Sequence, residues 1–235
     1  MEVVELQPIA MVLLSETVDD GKYERGVEDG RQIEHGRFWD AFQGNGKRMD
    51  YTYAFPHGGW TKDNFAPKYT IRPTLANTMF YKNADANFSL PEALQSCGVQ
   101  LDFSKTTSMQ YCFHLSALTE IGVVDVRNAS NFSQAFADTA NLKKIEKLIV
   151  NSTQTFSNVF RNASALEEIK IEGVIGQNGF NVNTSPYLTH DSLMSIIDAL
   201  QSGVASRTCT LGATNLKKLT DAEKVIATQK GWTLA

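Results

Sequence analysis

Apolar residues along this chain return in the same order about every 24 positions. Aligning Phe113–Val126, Phe136–Val150 and Phe160–Ile171 superposes Phe113, Phe136 and Phe160. Leu118, Leu142 and Leu166 then coincide, followed by Ile121, Ile145 and Ile169, with the first copy one residue shorter in its turn. Met109, Phe132 and Phe156 each stand four places before the Phe. A period in this range marks stacked supersecondary units, because one such unit cannot bury its own apolar face.

Each copy has two parts. The first, such as Phe132-Ser133-Gln134-Ala135-Phe136, carries large apolar residues at i and i+4, which predicts a single helical turn with both on one face. The second is Leu-x-x-Ile with further aliphatic residues, as in Leu142, Ile145, Leu148 and Val150 or in Leu166, Ile169 and Ile171. That alternation predicts a strand with one buried face. Small polar runs between the parts, Asp138-Thr139-Ala140-Asn141 and Asn162-Ala163-Ser164-Ala165, suit tight turns. Weaker copies are expected at Ala54-Phe55 and Met79-Phe80, with Ile71 as a strand residue between them. The Phe-to-Phe steps are then 25, 33, 23 and 24, and the long step accommodates an insertion at Ser89–Val99. Five units are expected.

A Phe, a small polar turn, then Leu-x-x-Ile and a strand resembles the BspA-like leucine-rich repeats, over roughly residues 50–235. The stretch from Thr210-Leu211-Gly212-Ala213-Thr214-Asn215-Leu216 to Trp232-Thr233-Leu234 is similar to the closing segment of such proteins encoded by gut bacteria and their prophages. The resemblance implies an α/β fold, an irregular leucine-rich-repeat solenoid. A parallel sheet would line one face, short helical turns the other, and caps the two ends. The chain departs from the pattern by placing Phe or Ile at several Leu positions and by lacking a regular Asn ladder.

Three regions follow: residues 1–45, residues 46–185 as the repeats, and residues 186–235 as a C-terminal capping unit. The first region has sparse apolar residues at Tyr23, Val27, Ile33 and Phe38, and three glycines weaken an isolated helix there. It serves either as an attachment or oligomerisation segment or as a cap on the first repeat. Aromatic residues crowd positions 38–88, and Trp60, beside Gly58, Gly59 and Asp63, is the one expected at the surface. In the last region Asp191–Leu200 predicts an amphipathic helix with Thr189 or Asp191 as N-cap. Thr220 and Glu223 have capping-box spacing ahead of a second helix ending at Gly231, and Trp232 is expected to be buried.

Composition narrows the function. Hydrophobic residues make up 42% and charged residues 20% of 235 residues, with a net charge of −4. No basic stripe points to nucleic acid, since Glu146 interrupts the cluster of Lys143, Lys144 and Lys147. No apolar run is long enough for a membrane span, and the short run Pro8–Leu14 behind Glu2 and Glu5 does not read as an export leader. Cys97, Cys112 and Cys209 form neither a disulfide framework nor a metal pattern and are expected as free buried thiols. Sequons at Asn87, Asn128, Asn131, Asn151, Asn162 and Asn183 follow from Asn- and Ser-rich turns.

Reaction machinery is missing from the sequence. Gly44-Asn45-Gly46-Lys47 lacks the remaining residues of a phosphate loop, and His57-Gly58-Gly59 has no nucleophile elbow to serve. The four histidines show no metal spacing, and His114, aligned with Ala137 and Arg161, is expected on the solvent side. Glu167 and Glu168 point to opposite faces and make a poor catalytic pair. No enzyme activity, cofactor or metal is expected. The strand positions expected to face a ligand are Asp125, Glu146, Lys170 and Glu172, opposite the buried aliphatics, with Trp60 as a further candidate. The resemblance implies a binding module that attaches to a protein or glycan on a bacterial surface. As a phage tail or fibre protein it would also contact other virion proteins through residues 1–45, with a homo-oligomer as a further partner. A bacterial surface adhesin and a structural virion decoration protein are the alternatives.

Overall fold

A computed structural model describes residues 73, 75–81 and 102–235. The N-terminal segment 1–45, the copy at Ala54-Phe55, Ile71, Trp60, the insertion Ser89–Val99 and Cys97 lie outside the described residues. Within them the chain is a mixed α/β fold. Strands β1 (Glu120–Asp125), β2 (Lys144–Val150) and β3 (Glu168–Gly173) form a parallel sheet in the order β1-β2-β3. After it come helix α1 (His190–Ala199), strand β4 (Arg207–Cys209), the short helix α2 (Ala213–Leu216), helix α3 (Asp221–Gln229) and strand β5 (Trp232–Leu234), which pairs in parallel with β4.

The repeat is legible in three dimensions as columns. The rings of Phe80, Phe113, Phe136 and Phe160 stack face to face, with centroid spacings of 5.1, 5.1 and 6.0 Å and interplanar angles of 4°, 3° and 2°. All four are buried, and such pairs add roughly 0.5–1.5 kcal/mol each beyond their burial. Phe80 and Phe113 adjoin although 33 residues separate them, so the Met79-Phe80 copy belongs to the same column. Phe180 ends it at a tilt of 55° to Phe160. Beside this column Met109, Phe132 and Phe156 are buried, and Leu118, Leu142 and Leu166 form a further row. The strands carry the last row in register, Ile121 opposite Ile145 opposite Ile169. The register of β2 on β3 shifts between Ile145 and Leu148, a bulge that explains why the alternation reads less cleanly in the β2 copy.

The turns correct one expectation. The Phe-containing segments are not helical turns but successive β-turns, as in the N–H of Ala135 to Phe132 O at 3.4 Å and of Ala137 to Gln134 O at 3.2 Å. Each copy holds left-handed backbone two residues before its Phe, at Thr78, Tyr111, Gln134 and Asn158, with φ of 53°, 56°, 54° and 54°. Leu115, Asp138 and Asn162 repeat the conformation two residues after it, with φ of 56–59°. Left-handed residues with a Cβ cost about 1–2 kcal/mol each, so the surroundings must impose them. The imposing force is a ladder between copies. Tyr111 N–H donates to Ser133 O and Gln134 N–H to Ser157 O, while Phe113 N–H donates to Ala135 O and Phe136 N–H to Val159 O. Backbone groups that a helix would satisfy internally are satisfied here by the next copy.

Two of the sequons have a structural reason. Asn131 Oδ1 accepts both the backbone N–H and the hydroxyl of Ser133, and Asn151 Oδ1 accepts both from Thr153. Such side-chain turns need only the backbone N–H two residues on, as Asn181 with Asn183 shows, and the hydroxyl at the sequon position adds a second bond to Asn131 and Asn151. Side-chain amides also bridge copies, from Asn128 to Ser104 O, from Asn151 to Arg127 O and from Gln177 to Ser152 O. This mixed Asn/Gln series stands in for the regular Asn ladder missing from the sequence.

The C-terminal region follows its sequence signals closely. Thr189 Oγ1 caps α1 by accepting from Ser192 N–H. Thr220 and Glu223 form the reciprocal capping box of α3, and Thr220's backbone N–H and hydroxyl, with His190, hold the Glu223 carboxyl below its ordinary range. Gly231 follows α3 with φ 92°, and a Cβ there would lie 1.7 Å from Val204 O, so only glycine fits. Trp232 is buried and its indole N–H donates to Gln201 O at 2.9 Å. Lys230 Nζ reaches Ile197 O and Asp198 O at 3.0 and 2.7 Å, closing the free carbonyl end of α1.

Candidate functional site

The outer face of the sheet is built from charge. Its floor of Ile145, Ile169 and Ile171 is buried, so the alternating partners point away from the core. Cross-strand neighbours pair: Lys144 with Glu168 at 3.3 Å and Lys147 with Glu172 at 3.1 Å. The Glu168 hydrogen bond and charge raise the Lys144 pKa. Exposed pairs of this kind contribute about 0–1 kcal/mol each, so they fix side-chain positions more than they stabilise the fold. Lys170 sits between these pairs, exposed and without an ionic partner among the described residues.

Helix α1 lies where a fourth strand would continue the sheet. It closes the β3 edge with hydroxyls one turn apart. Ile169 N–H donates to Ser192 Oγ at 3.0 Å and Ile171 N–H to Ser195 Oγ at 2.8 Å. Ser192 in turn donates to Glu167 O, which also receives the N–H of Thr189. An open strand edge invites pairing with another chain, and here side chains occupy it. Between α1 and the sheet face runs an open groove of about 910 Å³. Its sheet wall presents Lys144, Glu146, Glu168 and Lys170; its helix wall presents Asp191, Met194 and Asp198.

The groove brings together two of the strand residues singled out in the sequence, Glu146 and Lys170. Glu172 lies beside it, engaged with Lys147. Asp125 is corrected: alternation predicted exposure, but the residue is buried at 8%. Arg127 folds back over it, its guanidinium reaching Oδ1 at 3.0 Å and Oδ2 at 2.7 Å. Trp60 lies outside the described residues. The helix wall escaped the sequence reading because 191–200 announces only an amphipathic helix, and its docking on β3 is a tertiary event. The usable signal was Ser192 and Ser195 on that helix, polar residues three apart beside its apolar face.

A second polar cluster occupies the turn face. Asp138 Oδ2 meets His114 Nε2 at 2.9 Å and Arg161 Nη2 at 2.5 Å, while Oδ1 accepts from Asn162 at 2.7 Å. Burial pushes this carboxyl up, but the hydrogen bonds from Arg161, Asn162 and His114 and the Arg161 charge outweigh it and hold the pKa at about 2. His114 corrects its expected solvent position: its side chain is 14% exposed, between the rings of Tyr81 and Tyr111 at 5.5 and 5.3 Å. The cluster joins three copies and braces the left-handed turns at Leu115, Asp138 and Asn162.

Cys112 and Cys209 are free and buried; burial pushes the first thiol well up and the second to about 12, so neither forms a nucleophilic thiolate near neutrality. Among the described residues no group of three or more His, Cys, Asp or Glu could hold a metal, and no helix is long and apolar enough to cross a membrane. No family model, curated protein or solved structure matches the chain.

Proposed function

We propose that this chain is a non-enzymatic binding module, an irregular leucine-rich-repeat-like solenoid whose sheet face and α1 form a docking groove. The Phe column and the in-register Ile row support the repeat reading. The groove carries the functional one, because it is open, about 910 Å³ in volume, and lined by charged side chains on both walls. The resemblance to BspA-like repeats supports attachment to a bacterial surface as the task, with the module carried on a phage tail or fibre; a bacterial surface adhesin is the runner-up. The test is sedimentation of the purified protein with gut-bacterial cells, wild type against Lys170→Glu. The reading expects cell binding that changes several-fold in the variant with an unchanged melting curve. Equal retention of both proteins on every strain that binds would remove the groove from the attachment surface.

A further inference from the structure

Resting on the groove as the docking site, we propose that its occupant is an extended, basic segment of a protein. Three observations lead there. The charged lining consists of four carboxylates, Glu146, Glu168, Asp191 and Asp198, against two ammoniums, Lys144 and Lys170. Lys144 and Glu168 neutralise one another, which leaves the helix wall acidic. This net negative lining repels a nucleic-acid backbone and attracts cationic side chains. Among the described residues no aromatic ring lines the groove, so these walls offer no stacking platform of the kind that commonly holds a sugar ring. Met194 offers instead an adaptable apolar contact of the kind used against peptide side chains.

The third observation concerns Asp198. Asp191 lies in the first turn of α1, where the positive end of the helix dipole favours a carboxylate. Asp198 lies in the last turn, where the same dipole disfavours one, and no cationic side chain pairs with its carboxylate among the described residues. Lys230 reaches this end of the helix but is spent on the backbone carbonyls of Ile197 and Asp198. A charge held against the local rule points to recognition rather than to folding. Asp191 and Asp198 are seven residues apart, two helical turns, which is about 10 Å along one wall. Two basic side chains three residues apart in a polyproline-type segment span about 9 Å and match that separation. Lys170 on the opposite wall takes a carbonyl or an acidic side chain of the same segment and fixes its direction.

The experiment uses the full chain and three probes at low salt: a dye-labelled Lys-Pro-Pro-Lys peptide, its Glu-Pro-Pro-Glu counterpart, and a neutral hexasaccharide. The basic peptide is expected to bind with an affinity that falls as salt rises, and the acidic one not to bind. Asp191→Asn and Asp198→Asn should each weaken the basic peptide by about two- to fivefold, and together by about tenfold. Their effects on melting temperature should have opposite signs, Asp191→Asn lowering it and Asp198→Asn raising it, which a purely structural role for Asp198 would not produce. Basic-peptide binding indifferent to both substitutions, or a lowered melting temperature in Asp198→Asn, overturns the proposal. Hexasaccharide binding that Lys170→Glu abolishes would overturn the peptide occupant and leave the groove in place. Cell binding that survives both wall substitutions and Lys170→Glu would bring down the groove itself.

Discussion

The copies between Phe113 and Ile171 and the region from His190 onward meet the same demand in different ways. Both must satisfy backbone groups around a dry core. The repeated copies do so with one another, N–H of one turn to carbonyl of the next, Asn to carbonyl, strand to strand. The later region does so with its own side chains: serine hydroxyls on the β3 edge, a capping box, a lysine over helix carbonyls, a tryptophan N–H. Side-chain solutions are local and each can be lost alone. Neighbour solutions are shared, so damage to one copy reaches the copies on either side.

Three substitutions break or sharpen this contrast. The largest effect belongs to Phe136→Ala, which removes a buried ring stacked on both sides. It should cost about 3–5 kcal/mol in chemical denaturation, with loss of cooperativity across the repeats. Asp138 comes next. Its folded carboxyl lies at about 2 against an ordinary 3.8, so the folded state favours the charged form. The resulting stability, about 1–2 kcal/mol once solvent screening is allowed for, is fully present above about pH 5 and is lost as pH falls through about 4 towards 2. Asp138→Asn should flatten that window in acid-unfolding curves; an unchanged slope would show that the cluster does not couple the copies. Thr220→Ala is the smallest. Loss of the cap should cost about 1 kcal/mol, read as faster hydrogen exchange confined to the amides of α3 while those of β1 and β2 keep their protection.

How far the chain could be read from its letters follows the same division. The Phe, Leu and Ile columns were legible because burial repeats residue types at fixed spacing. The capping box and buried Trp232 were legible because their signals are short-range. The turns were not: apolar residues at i and i+4 imitate a helical face, and Tyr111, Gln134 and Leu115 carry no propensity for left-handed backbone. Only the ladder from the adjoining copy forces it. Asp125 was misplaced for a similar reason, since strand alternation sets the direction of a side chain but says nothing of an arginine two residues on. The groove was half legible, its strand wall by alternation and its helix wall not at all.

The hydroxyl closure of β3 has a consequence for how such a chain could change length. The joints between Phe113 and Phe160 share stacked rings and backbone ladder bonds, differing by one residue in the first turn and by the bulge between β2 and β3, so a duplicated block of one period introduced among them would meet surfaces close to those it was shaped for. The joint at Ser192 and Ser195 has no equivalent elsewhere among the described residues. Insertion of one period among these copies is therefore expected to leave a folded chain, and insertion between β3 and α1 to lay the β3 edge open.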